Sequence, residues 1–149
     1  MRIYTTFWPK SKILKWLGIR TKKYFFMELD DQATWAMDYT LAMIIVPMLK
    51  QLKETKQGAP LVDDEDVPDE LKSTNALPGK DSDVDSNHFK RWDWILDEMI
   101  WAYKQDAMDD DWEEQYYTEK VDREVIDKHY KRMQNGHRLF GKYYNALWS

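Results

Sequence analysis

Phe89, Trp92, Leu96, Met99 and Tyr103 follow one another at intervals of 3, 4, 3 and 4 residues. That spacing keeps five large apolar side chains on one side of an α-helix, whereas a β-strand would alternate them every two residues. Ser86 or Asn87 precedes the pattern as a natural cap. A helix is therefore predicted over about 87–106, with Ile95, Ile100, Trp101 and Ala102 enlarging its apolar side. Such a helix needs partners to cover it, and two other stretches have the period to supply them.

The first is predicted over about 31–57, opened by Asp30 or Asp31 and stopped by Gly58 and Pro60. Trp35, Ala42, Ile45, Leu49 and Leu52 form its seam, and Met37, Leu41, Ile44 and Met48 broaden it. An apolar face that wide predicts a central, heavily buried helix, kinked at Pro47. Asp38 falls on the seam, where a carboxylate is expected to be ion-paired or to serve chemistry. The second stretch is predicted over about 113–147, after a break at the three aspartates 109–111. Ile126, Tyr130, Met133, His137, Phe140, Tyr144 and Leu147 alternate steps of 4 and 3, with no phase break at Gly136 or Gly141. One continuous helix is expected there, with glycine admitting a close neighbour and His137 hydrogen-bonded in the seam.

Between the first two helices, residues 58–86 carry nine acids against Lys72 and Lys80. Pro68, Pro78 and Gly79 punctuate this acidic loop. It reads as a solvated, partly mobile excursion with one helical turn near residues 68–72. Asp81, Asp83 and Asp85 have the spacing that opens a calcium loop. The sixth and twelfth positions are Ser86 and Trp92 instead of glycine and glutamate, so calcium is not expected.

Charge is unevenly distributed. Residues 1–27 hold seven Lys or Arg and no acid, while the remainder sets all 27 acids against 15 bases, a net of −12. An acidic body repels nucleic-acid phosphate. A nucleic-acid or acidic partner is thus expected only at the basic arm 1–29, through Arg2, Lys10, Lys12, Lys15, Lys22 and Lys23. Within the arm, residues 2–6 and 21–29 read as strands of a small β-hairpin or flap, and residues 12–17 as a short helix. Cysteine is absent, which excludes disulfides and thiolate metal sites. The longest apolar run, residues 41–48, falls far short of the ~20 residues of a membrane span, so no membrane association is expected.

Together these elements predict one mainly α domain, residues 1–149. Three long packed helices (about 31–57, 87–106 and 113–147) are joined by a short N-terminal helix and a small hairpin.

The phrases TWAMDYTLA, PMLKQLKETKQGAP, DDEDVPDEL, NHFKRWDWILDEMIWAY and RMQNGHRLFGKYYNALW, after the opening MRIY, resemble a family of small proteins encoded by tailed bacteriophages, large myophages included. The resemblance covers most of the chain, although residues 105–128 stand where the family has a longer insert. It implies a phage gene product acting in the host bacterial cytoplasm or packed in a virion. The family has no established activity, so the resemblance implies no catalytic residues and no cofactor.

Three functions follow as expectations. The first is an accessory protein that binds a host or phage protein without catalysis. Its eight Trp and nine Tyr suit interface anchors, and the chain has no P-loop, G-x-G-x-x-G, H-E-x-x-H or G-x-S-x-G motif. The second is a helical nucleotide hydrolase that holds Mg2+ between Asp38 on one helix and Asp93, Asp97 and Glu98 on the next. The E-x-x-E and E-x-x-D spacings of such enzymes are not reproduced, and salt bridges are the simpler expectation for these carboxylates. The third is a minor virion component.

Overall fold

The computed structural model describes residues 2–6, 24–28, 34–79, 84–107 and 122–148. The chain divides into two compact units, Met1–Met37 and Asp38–Ser149, so the first unit reaches somewhat beyond the basic arm. In it, β1 (Arg2–Thr6) and β2 (Tyr24–Glu28) pair antiparallel, with Arg2 opposite Glu28 and Thr6 opposite Tyr24. Both strands are rich in β-branched and aromatic residues, which favour a pleated backbone. The short helix expected at residues 12–17 lies outside the described residues.

The second unit is built from three packed helices: α1 (Met37–Thr55), α2 (His88–Asp106) and α3 (Arg123–Lys142). The central one is α2. Trp92, Ile95, Leu96 and Met99 are fully buried, as are Ala102 and, from α3, Leu139. Phe89, expected in the same row, is half exposed. Leu49 of α1 and Tyr143 complete the core. On one side α3 approaches α2 so closely that a Cβ added at Gly136 would lie 2.3 Å from Ala102 Cβ and 2.8 Å from the Glu98 carbonyl oxygen. Glycine is therefore required at position 136. At Gly141 the same added atom would meet nothing, and no close neighbour explains that glycine.

The helix bounds differ from those expected, for local reasons. At the N-terminal end of α3, Asp122 is extended, and its carboxylate accepts from Glu124 N and Val125 N. It satisfies two of the free amides that open a helix, so no continuous helix runs through 113–147. At the other end the chain tightens after Lys142 into a 3₁₀ turn, Tyr144–Ala146. The α3 seam is also rotated. Met133, Gly136, Leu139 and Tyr143 are its buried positions, while Tyr130 and Tyr144 are exposed. The row containing Gly136 allows the closer approach, so it faces α2.

The largest correction concerns α1. It begins at Met37, and Trp35, placed on its seam by spacing, is 92% exposed in the preceding turn. Ala42, Val46 and Leu49 face the core, with Ile45 and Leu52 half buried beside them. Leu41, Met43 and Met48 are exposed. This helix passes through Pro47 as one assigned element and lies at the edge of the core.

The described part of the acidic loop is not a solvated excursion. It forms a strap of three single 3₁₀ turns, Asp64–Asp66, Asp69–Leu71 and Ser73–Asn75. Val62 and Val67 are buried in the core, and Asp66 is buried with them. Asp64 holds the strap's shape by accepting from both Ser73 N and Ser73 Oγ.

Candidate functional site

The carboxylates predicted to hold magnesium are placed on cations. Asp97 meets Lys53 Nζ of α1 at 2.5 Å, and Asp93 meets Lys56 Nζ at 2.6 Å. Glu98, nearly buried, takes the Arg132 guanidinium of α3 in a two-point grip of 3.0 and 2.7 Å. Arg132 also lies 3.9 Å over the Trp101 ring, which screens one side of the pair from water. Asp38 is exposed in the first turn of α1, and its carboxylate accepts from Tyr39 N. The four side chains do not converge on one ion, because ammonium and guanidinium groups from α1, the residue just after it and α3 hold three of them.

Arg91 of α2 is buried. Its two terminal nitrogens grip Asp85 at 3.0 and 2.7 Å, and one of them also donates to the Leu71 carbonyl. The Arg91 guanidinium holds the Asp85 carboxyl below its usual range. Asp85 is thus used to fix the start of α2. Asp81 and Asp83, its companions in the D-x-D-x-D run, lie outside the described residues.

A denser charge cluster, not foreseen from sequence, joins the strap to the end of α3. The Asp66 side chain is 1% exposed and accepts from Arg138 at 2.6 Å, Lys142 at 2.6 Å and the Tyr143 hydroxyl at 2.7 Å. Burial alone would raise the Asp66 carboxyl; the hydrogen bonds from Lys142, Tyr143 and Arg138 outweigh it and hold the group below its usual 3.8. Tyr143 is pushed up to about 12, first by burial and then by its bond to Asp66. Its hydroxyl oxygen also accepts from Asp63 N at 3.1 Å. Asp63, Glu65 and Asp66 bring three carboxylate oxygens within 4.8 Å of one another, a spacing able to hold a metal ion. Lys142 Nζ sits among them at 2.7, 3.1 and 2.6 Å, so the cation in that cage is the protein's own ammonium. A sequence signal existed: R-L-F-G-K-Y sets Arg138, Lys142 and Tyr143 on adjacent turns, opposite a run of acids.

The histidines serve packing. His137 Nε2 lies 2.6 Å from Asp106, and its ring is tilted against Tyr103. This ties α3 to the end of α2, as a hydrogen-bonded seam residue should. His88 Nε2 contacts the Ala59 carbonyl. His129 rests on Trp101, and burial, helped by the Arg132 charge, lowers its pKa below the usual value.

Of the basic-arm candidates, Arg2 lies in β1, and Lys10, Lys12, Lys15, Lys22 and Lys23 lie outside the described residues.

Among the described residues, the outward side of α1 is left open. Leu41, Ile44 and Met48 are spaced by 3 and 4 residues and so form one stripe. Pro47 and Met43 extend it. Met48 is 65% exposed, Met43 53% and Leu41 45%. No charged residue occurs from Tyr39 to Leu49, so the stripe is uninterrupted. The signal was already present in sequence, as an apolar face too wide for one seam. Its width predicts deep burial, since spacing cannot tell a face covered throughout from one whose flank is open.

No family model, curated protein or solved structure matches this chain. Among the described residues, no helix is long and apolar enough to cross a membrane.

Proposed function

We propose that this is a phage-encoded accessory protein that works in the host bacterial cytoplasm by binding a host or phage protein through the outer face of α1. The observation that carries the reading is the apolar stripe in which Leu41, Met43 and Met48 are exposed and Ile44 is half buried between them. Contiguous apolar surface of this kind costs solubility when left open, and in soluble proteins it marks interaction sites. A stripe at helical spacing suits helix-in-groove recognition, and methionine adapts to irregular partner surfaces. The phage origin rests on the phrases in the sequence. The magnesium hydrolase is not favoured, because Asp93, Asp97 and Glu98 already answer Lys56, Lys53 and Arg132.

The test is affinity capture from phage-infected cells with the wild-type chain and with the Leu41→Gln, Met48→Gln double variant. The reading expects one host or phage protein to be retained by the wild type and lost by the variant. Recovery of no partner, or equal recovery by both chains, would overturn it. Magnesium-dependent release of pyrophosphate from nucleoside triphosphates would do the same.

A further inference from the structure

We draw no further inference here: the strongest candidate, the carboxylate cluster of Asp63, Glu65 and Asp66 on the strap, is closed by the Lys142 ammonium at its centre, and no second observation points to an external ligand.

Discussion

Helices α1 and α2 are both 19 residues long, and their sequences suggest the wrong order of burial. The uncharged run is in α1, yet it keeps Leu41, Met43 and Met48 in solvent. Helix α2 carries eight charged or histidine side chains, yet Trp92, Ile95, Leu96 and Met99 are sealed, and Arg91 and Glu98 with them. Burial followed the number of covered sides. Around α2 lie α3, the strap and α1, and counter-charges reach it from Arg132 of α3, from Asp85 just before its own first turn, and from Lys53 and Lys56 at the end of α1. A charged helix can thus be central once its charges are met, because a hydrogen-bonded pair offsets much of the desolvation that an isolated charge would suffer. An apolar helix at the edge of the core has one covered side, and its remaining apolar groups stay open.

Substitutions on the two helices should separate by size of effect. The largest is expected for Trp92→Ala. A fully buried Trp stacked edge-on against Tyr143 leaves a large cavity, and such truncations cost about 3–5 kcal/mol. Denaturant titration should show the midpoint falling accordingly; a loss below about 1 kcal/mol would contradict α2 as the centre of the core.

Gly136→Ala should come next, at about 2 kcal/mol, because the new methyl meets Ala102 Cβ and the Glu98 carbonyl, and neither can rotate away. Alanine is otherwise the better helix former by about 1 kcal/mol. A gain in thermal stability would therefore show that the α2–α3 approach is looser than described. Ala102→Gly in the same chain should recover part of the loss.

The Asp66 node supplies a pH dependence. A carboxyl held below 3.8 contributes stability that is present above that value and is lost as pH falls through the lower folded value. His129 acts earlier in the same direction. Its folded pKa is below 6.5, so its contribution is present above 6.5 and fades as pH drops. Acid unfolding followed by circular dichroism should begin below about 6.5 and steepen below about 4. Asp66→Asn should destabilise at neutral pH by about 2 kcal/mol, since Arg138 and Lys142 lose their buried counter-charge. It should also flatten the steep acid limb, and an unchanged limb would remove Asp66 from its cause. The Tyr143 hydroxyl works at the other end of the scale. Its contribution is complete below 10 and lost as pH rises through about 12.

The smallest effect on stability is expected on the outside of α1. Leu41→Gln with Met48→Gln should move the unfolding free energy by no more than about 0.5 kcal/mol, because both side chains are exposed and glutamine is a good helix former. A loss of 2 kcal/mol or more would mean that this face is covered in solution, and the contrast between the helices would collapse.

How much of this was legible beforehand varies by residue. The bounds of α2 were readable almost to the residue, because the 3–4 spacing runs from Phe89 through Tyr103, although the Asn87 side chain expected as a cap makes no cap hydrogen bond and Asp85 accepts from Asn87 N instead. The ends of α3 were not. The Asp122 cap sits inside a stretch whose composition permits a helix, and the 3₁₀ turn after Lys142 is next to a tyrosine whose hydroxyl is held by a residue 77 positions away. The salt-bridged state of Asp93, Asp97 and Glu98 was the simpler expectation, but their partners were unreadable. The seam of α1 was largely readable, since Ala42 and Leu49 face the core with Ile45 and Leu52 beside them, but that Leu41, Met43 and Met48 stay open was hidden, because they are as apolar as the seam itself.

By itself, then, the sequence determined which segments become helices, since periodicity and caps act within a few residues. It also determined that no cysteine chemistry is available and that the body is acidic. Only the tertiary structure decided which helix is central, that the flank of α1 beside its seam stays open, and that the strap's acids close on Arg138 and Lys142. Those outcomes depend on contacts between residues far apart in the chain. A local pattern states what a face can bury but not what arrives to cover it.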